Sequence, residues 1–287
     1  MSGIALRLAT HAHFGTQACQ LIDSHGTQTW ITRAKNFVIV MSRVKAGSVL
    51  DRKNNSDESM VILPPGLNAK IETEEGSQQC SGDSLIILPP GSMHMEMQSA
   101  GWVVRIYSSN AVDLMSLASN AHVYSDYAPE VTNLVAWPQP AGGYRLRHYD
   151  LAKCKSPDPS VLKMRVFRST NLMVNIFEPW LKPRDEHSLS PHWHDDFEQA
   201  SLGLEGSFVH HIRYPWAADK TQWRPDEHVQ HESPSVLIIP ARAIHTSQNI
   251  GTAPARLIDI FGPPRMDFSM RPGFVINADD YPMPMQS

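Results

Sequence analysis

Two histidines separated by one residue are the first candidates for chemistry in this sequence. His192 and His194 are two residues apart, and Glu198 follows four residues later. Residues i and i+2 of a strand face the same side, so both imidazoles project in one direction. His245 comes later, just after an apolar run that ends in proline. Three imidazoles and one carboxylate suit Fe(II), Mn(II), Ni(II), Cu(II) or Zn(II).

An HxH pair alone is also typical of a surface loop. The positions of Glu198 and His245 favour a metal site over that alternative. We therefore predict one divalent transition metal per chain, with iron or manganese favoured and nickel, zinc or copper as alternatives. The predicted ligands are His192, His194, Glu198 and His245. His11 and His13 repeat the HxH spacing without a following carboxylate, and we expect them at the surface.

Three more residues are candidates for catalysis beside this metal. His210 and His211 lie on the next predicted strand, so one of them faces the interior as a general acid or base, or simply packs there. The spacing does not determine which one. Arg242 lies three residues before His245, where it either binds a substrate anion or is a solvated turn residue.

Short apolar runs bounded by proline and glycine recur along the chain and predict strands. They include 36–44, 61–66, 84–91, 102–108, 144–151, 171–179, 207–214, 235–240 and 257–264. One helical pattern covers 111–121, with Asn110 as its N-cap. Many short strands and little helix predict an all-β protein made of sandwiches or barrels.

The sequence contains an internal repeat. Residues 84–98 superpose without gaps on residues 235–249, with serine, proline and histidine at matching positions. Upstream, a glutamate followed eight residues later by a glycine occurs in both copies, at Glu58 and at Glu198. Two anchors in the same order indicate a duplicated β domain.

Composition and charge exclude several classes of protein. Lys and Arg number 25 against 29 Asp and Glu, a net charge of −4, whereas nucleic-acid binding usually needs a basic stripe. No apolar run approaches the roughly 20 residues of a membrane-spanning helix, and the first residues lack the apolar core of a signal peptide. The 3 cysteines contain no CxxC pair. We expect a cytoplasmic globular protein that binds neither nucleic acid nor membrane.

The two motifs resemble those of the cupin superfamily. The first family motif has HxH, a glutamate after three or four residues and a glycine after six more. It is similar to the segment from His192 to Gly206, which has one extra residue before the glycine. The second is similar to the segment from Pro240 to Asn249, in which Arg242 replaces a glycine. The resemblance covers both halves of the chain and implies that the four residues named above are the metal ligands.

The resemblance implies a bicupin, an all-β protein with two tandem antiparallel jelly-roll barrels and little helix. We predict an N-terminal barrel over 1–127, a linker over 128–143 and a C-terminal barrel over 144–262. The tail, 263–287, would pack on a barrel or on a partner.

The first copy has lost most of the predicted ligands. Arg52 and Asn54 replace the paired histidines, and only Glu58 and His94 remain. We expect this barrel to bind no metal and to serve structure or assembly. The alternative is a small pocket in which Arg52 binds an anion.

For proteins of this kind, the resemblance implies a metal that binds two oxygens of a small oxygen-rich substrate: an enediol, a β-dicarbonyl, or a hydroxy or sugar acid. We favour a dioxygenase, with an isomerase or decarboxylase as the alternative. A non-catalytic small-molecule-binding bicupin is the alternative from another class, since fold does not fix function. No helix-turn-helix pattern is visible, which favours an enzyme over a DNA-bound sensor. We expect a homodimer, the commonest closed assembly.

Overall fold

The computed structural model of the chain describes residues 7–126, 128–157 and 163–285, which form 20 strands and two short α-helices. The strands of the first half are β1 (Thr10–His13), β2 (Leu21–Ile22), β3 (Gln28–Arg33), β4 (Phe37–Val44), β5 (Val49–Asn55), β6 (Ser59–Leu63), β7 (Asn68–Thr73), β8 (Gly76–Ser81), β9 (Ser84–Leu88), β10 (Gly91–Met97) and β11 (Gly101–Ser108). Those of the second half are β12 (Arg147–Asp150), β13 (Met164–Arg168), β14 (Met173–Phe177), β15 (Gln199–Glu205), β16 (Ser207–Arg213), β17 (Glu227–Glu232), β18 (Ser235–Ile239), β19 (Ile244–Asn249) and β20 (Arg256–Phe261). The helices are α1 (Val112–Leu117) and α2 (Met266–Ser269).

Each barrel consists of one large and one small antiparallel sheet. In the first barrel the large sheet has the order β12-β9-β6-β11-β4-β3-β2, and the small sheet has the order β5-β10-β7-β8. In the second barrel the large sheet is β1-β18-β15-β20-β14-β13, and the small sheet is β17-β16-β19. Every segment predicted as a strand from its apolar run contains a strand in the structure, and the all-β prediction is confirmed.

The two large sheets are buried on both faces, which explains why their strands are continuously apolar. In β18, Val236 and Ile238 face the core between the barrels, whereas Leu237 and Ile239 face the other way. Strand β16, in a small sheet, instead alternates between buried Phe208, His210 and Ile212 and more exposed neighbours. The shared central core joins the two barrels into one packed unit.

The barrels exchange their first strands. Strand β1 pairs with β18 of the second barrel, in the register Thr10 to Ile238 and His13 to Ser235. Strand β12, from the second half of the sequence, pairs with β9 of the first barrel. Each large sheet is therefore completed by a strand from the other half of the chain.

The helical prediction over 111–121 is right in place but too long. Helix α1 ends at Leu117, and its N-cap is Ala111 instead of Asn110, whose side chain donates to Asp57. The segment 128–143 contains no helix or strand. After β20 the chain packs back on the molecule, burying Phe274 and Tyr281.

Candidate metal centre

Three of the predicted ligands converge in the second barrel. One ring nitrogen each of His192, His194 and His245 lies within 4.8 Å of the other two, and the ring centroids are 4.4–5.2 Å apart. His192 and His194 precede β15, whereas His245 lies on β19. The backbones of His192 and His245 exchange two hydrogen bonds, 2.8 and 3.1 Å long. This bridge fixes the distance between two ligands that are far apart in sequence.

The hydrogen bonds of the imidazoles suit metal binding. His192 Nδ1 donates to the Ser190 carbonyl at 3.0 Å, and His245 Nδ1 donates to the Ala243 carbonyl at 2.9 Å. These bonds leave Nε2 as the lone-pair nitrogen of each ring, the arrangement typical of metal-bound histidine. His245 Nε2 is buried and has no hydrogen-bond partner within the described chain. The three residues therefore fit a divalent transition metal.

The imidazoles are also in the charge state that a metal requires. Burial lowers the pKa of His194 to about 2 and that of His245 to about 4. The pKa of His192, at the mouth of the site, is lowered by burial as well. Neutral imidazole is the ligating form, so the site needs no deprotonation near neutral pH.

The fourth predicted ligand, Glu198, lies outside this group. Its carboxylate accepts hydrogen bonds from the Lys35 backbone N–H at 2.6 Å and from the Tyr124 hydroxyl at 2.9 Å. Both donors belong to the first half of the chain. Glu198 is 2% exposed, and its burial raises the pKa of the carboxyl. The structure thus uses this residue to join the barrels.

Gln199 occupies the place beside the histidines instead. Its Oε1 lies 2.9 Å from His194 Nε2. Glu198 and Gln199 are adjacent at the start of β15, so their side chains point to opposite faces. With Gln199 as the fourth residue, the interval to Gly206 is six residues, which removes the extra residue noted in the sequence. This spacing could have identified Gln199 from the sequence. Glu198 was chosen instead because a carboxylate is the more usual metal ligand.

A polar chain continues from Gln199 into the barrel. Gln199 Nε2 donates to Ser201 Oγ at 3.0 Å, and the Ser201 hydroxyl donates to Asp259 Oδ1 at 2.7 Å. Burial raises the pKa of Asp259 to about 7. The sequence could have pointed to Asp259, because it is a charged residue inside the apolar run LIDIF. Asp259 can therefore hold or release a proton near neutral pH.

A cavity of about 40 Å³ joins these groups to the histidines. His192, His245, Gln199 and Asp259 line it together with Arg184 and Trp180. Arg184 is held by two hydrogen bonds of 2.9 Å, from Nη1 to the Ser247 carbonyl and from Nη2 to Ser190 Oγ. The guanidinium offers positive charge to an anion in the cavity. No motif in the sequence singled out Arg184.

The predicted catalytic residues separate in the structure. His210 faces the barrel interior, 1% exposed, with Nδ1 2.8 Å from Ser247 Oγ. His211 faces outward, where its Nδ1 lies 2.7 Å from His228 Nδ1. Arg242 is exposed, and its Nε donates to the Asp195 carbonyl at 3.3 Å.

Arg242 occupies the turn where the family has glycine. Its φ is 68°, in the left-handed region that glycine adopts most readily. Its backbone N–H donates to the His194 carbonyl at 2.6 Å. The turn is therefore retained despite the arginine, and Arg242 supports the histidine loop through its backbone.

The first barrel has no such centre among the described residues. Arg52 pairs with Asp113, and His94 lies on the surface, 2.7 Å from Asp51. Glu58 accepts hydrogen bonds from Thr170 and Tyr281, across the barrel interface. The positions that were expected to retain ligands therefore face away from the interior of the first barrel.

His11 and His13, which were expected at the surface, are partly exposed and also contact the second barrel. They lie on β1, opposite Leu237 and Ser235 of β18, and are only partly exposed. Exchange of β1 onto the second barrel places both imidazoles against His231. Sequence alone gave no sign of this pairing.

No family model matches the sequence, and no curated protein matches it. Solved structures do resemble the fold. An oxalate decarboxylase of Bacillus subtilis matches with a TM-score of 0.59 and 12% identity, covering 97% of this chain and 84% of its own. An oxalate decarboxylase of Lactobacillus farciminis, in a formate complex, matches with a TM-score of 0.54 and 13% identity, covering 83% and 81%. A cupin 2 conserved barrel domain protein from Leptotrichia buccalis matches with a TM-score of 0.50 and 11% identity, covering 84% and 90%.

The chain has the two-barrel cupin fold. The resemblance drawn from its motifs is therefore confirmed at the level of fold, as is the prediction of two antiparallel jelly-roll barrels. Identities this low concern the fold alone. Among the described residues, no helix is long and apolar enough to cross a membrane.

Proposed function

We propose that the second barrel is the active site of a metal-dependent enzyme acting on a small oxygen-rich substrate. The observation that supports this most directly is the convergence of three neutral imidazoles, His192, His194 and His245, within 4.8 Å. A cavity beside them carries both a cationic and an acidic side chain. A purely structural barrel would gain stability by filling this space with apolar side chains.

Different residues around the cavity would bind the metal, bind the substrate and transfer protons. A divalent metal held by the histidines would supply a Lewis acid and, if redox-active, a route for O2. Gln199 Oε1 is placed to be its fourth protein ligand. Arg184 would hold an anionic oxygen of the substrate, and Asp259 would give or take a proton at the substrate carbon.

A dioxygenase is the first candidate reaction. Iron is the metal that fits it best, with O2 as co-substrate and both oxygen atoms appearing in the cleaved products. Trp180 and Phe177 line one side of the cavity and would limit access of water to the reacting carbon.

A decarboxylase is the second candidate, and Asp259 favours it. Loss of CO2 leaves an electron pair on carbon that must take up a proton, and a buried carboxyl with a pKa near 7 can donate one. Arg184 would orient the departing carboxylate. Two of the structural neighbours are oxalate decarboxylases, which is compatible with this reaction.

The first test is metal content followed by gas exchange. Protein purified without a polyhistidine tag is expected to hold about one iron or manganese per chain. With the loaded protein, β-diketones, catecholic acids and small dicarboxylates are screened for O2 uptake and for CO2 release. O2 uptake supports the dioxygenase, and CO2 release without O2 uptake supports the decarboxylase.

The matched variants are Asp259→Asn and Arg184→Gln. Both should retain the metal, because neither residue is a predicted ligand. Asp259→Asn should lower kcat more than KM, and Arg184→Gln should mainly raise KM. Folded protein that binds no transition metal would overturn the enzymatic proposal. A cytoplasmic location and a homodimer stay predictions from the sequence.

A further inference from the structure

A second group of histidines lies at the edge of the second barrel, apart from the metal centre. His11 stands between two partners: its Nδ1 is 2.8 Å from His231 Nε2, and its Nε2 is 2.9 Å from Glu227 Oε2. His13 lies against the same ring, with centroids 4.4 Å apart. His210 approaches it from β16, at 4.7 Å. We call His11, His13, His210 and His231 the histidine cluster.

The arrangement of this cluster differs from that of a metal site. In the candidate metal centre three imidazoles surround a common point, and no other group of potential ligands among the described residues converges in this way. In the cluster, three imidazoles surround a fourth, His231, which is fully buried. Its Nδ1 has no hydrogen-bond partner within the described chain. The cluster is therefore a place where added positive charge is poorly tolerated.

The charges that face the cluster come from three strands. Strand β1 contributes His11 and His13, and β16 contributes His210. Strand β17 contributes His231 and Glu227. Glu227 also accepts a 2.7 Å hydrogen bond from the Tyr214 hydroxyl. It is the one carboxylate in these contacts, and of the four imidazoles it contacts only His11. Within the described residues, a proton on His231 or His13 therefore has no counter-charge in contact.

Two of the four imidazoles arrive on the exchanged strand. Strand β1 is four residues long and lies at the edge of its sheet, with β18 as its strand neighbour. Beyond that ladder, Ala12 packs in the central core and Asn120 Nδ2 donates to Thr10 Oγ1 at 3.2 Å. At its two ends the Ala9 N–H donates to the Tyr214 hydroxyl, and the Phe14 N–H donates to the Pro234 carbonyl. The imidazole contacts therefore add to the ladder, the apolar packing and the hydrogen bonds that dock β1.

We propose that the histidine cluster keeps the N-terminal strand β1 docked on the second barrel near neutral pH and releases it in acid. While His13 and His231 are neutral, β1 stays docked on β18. When protons enter the cluster, mutual repulsion around His231 releases β1 and leaves β18 as an open sheet edge. This inference is independent of the proposed enzymatic function.

The sign of the pH effect follows from the direction of the shifts. Burial, followed by the charges of His13 and His11, lowers the pKa of His231 to about 3. Burial and then His11 lower the pKa of His13. When β1 leaves, His13 regains the ordinary pKa of 6.5, and His231 loses the neighbours His13 and His11 that lower its own pKa. Both residues then take up protons that the docked state excludes. Docking is therefore strongest above pH 6.5 and weakens as the pH falls below it.

Peptide-resolved hydrogen–deuterium exchange measures the docking of β1 directly. The full chain is compared at about pH 7.5 and about pH 5, after correction for the intrinsic pH dependence of exchange. The protection factor of the peptide covering β1 should fall about tenfold or more at the lower pH, because each proton taken up contributes up to a factor of ten per pH unit. The peptide covering β12, the other exchanged strand, should change less.

Two variants test the cluster itself. His231→Gln removes the central imidazole and should abolish most of the pH dependence of β1. Glu227→Gln removes the one carboxylate in contact with the cluster and should enlarge that dependence. His94→Gln, on the surface of the first barrel, is the matched control and should leave it unchanged. If His231→Gln does not fold, His13→Gln provides the same test.

Three results would overturn the proposal. The first is a β1 peptide equally protected at both pH values, and the second is a His231→Gln variant with the full pH dependence. The third is loss of protection in β15 and β19 together with β1, which would show that acid opens the whole barrel through the metal-site histidines.

Discussion

The two barrels share one fold and have different interiors. Strand β10 of the first and β19 of the second occupy corresponding places in the small sheets. The inward side chains of β10 are Met93, Met95 and Met97, all buried. Those of β19 are His245, Ser247 and Asn249. Flexible thioether side chains fill one interior, whereas imidazole and hydroxyl groups leave room for a cavity in the other.

The loop before these strands accounts for part of the difference. In the first barrel, the first inward side chain after strand β9 is Met93, and β9 ends at Leu88. In the second barrel, the first inward side chain after β18 is His245, and β18 ends at Ile239. The connecting segment is therefore one residue shorter in the first barrel. A one-residue change of register turns every side chain of a strand to the opposite face. His94, which aligns with His245 in the sequence, therefore points outward.

The two barrels also differ in an ionisable side chain at corresponding buried positions, which is acidic in the second barrel and basic in the first. Asp259 lies opposite Ser201 in the second, and Arg105 lies opposite Val61 at the corresponding place in the first. Arg105 donates to Ser42 Oγ at 2.9 Å and is 7% exposed. A guanidinium repels a cation, so the first interior opposes metal binding by charge as well as by packing.

The largest expected difference between the barrels is in metal binding. His245→Ala should lower the affinity for the bound metal by a factor of roughly 100 or more, because it removes one of three converging ligands. His94→Ala, at the aligned position, should leave metal content unchanged. Elemental analysis of both variants beside the wild type makes the comparison. Metal loss in His94→Ala would mean that the first barrel holds a site.

The next difference is in packing. Met95→Ala should lower the free energy of unfolding by about 2–5 kcal/mol, because it opens a cavity in a filled interior. Ser247→Ala, on the corresponding strand, should cost about 1–3 kcal/mol, because it leaves the buried His210 Nδ1 without its partner. Urea denaturation of metal-free protein measures both. Equal losses would contradict the view that only the first interior is filled.

The smallest expected difference concerns a pair that the barrels share. Glu58→Ala and Glu198→Ala should each destabilise the protein by about 1–3 kcal/mol, since each leaves buried donors across the interface without an acceptor. Metal content should stay the same in both. Loss of metal in Glu198→Ala, but not in Glu58→Ala, would return Glu198 to the set of ligands.

Features that depend on local spacing could be predicted from the sequence. The apolar runs specify the strands because both faces of the large sheets are buried. The HxH spacing places His192 and His194 together because both follow one extended segment. Glu198 and Gln199 could not be separated in this way, since one residue decides which face a side chain takes.

Other parts of the site depend on contacts between distant segments. Arg184 reaches the cavity from a loop, and its hydrogen bonds to Ser190 and Ser247 carry no local pattern. His11 and His13 acquire their partners only because β1 crosses to the other barrel. Such placements depend on contacts between distant segments, and a single sequence contains no signal for them.

The same exchange has a consequence for the order in which the protein takes shape during synthesis. Strand β1 leaves the ribosome first, yet its partner β18 is among the last strands made. The first barrel lacks an edge strand until residues 147–150 have emerged. A nascent chain stopped in segment 128–143 would hold an incomplete sheet and an unpaired β1. The first large sheet is therefore completed only after residues 147–150 are translated, and β1 stays unpaired until β18 follows.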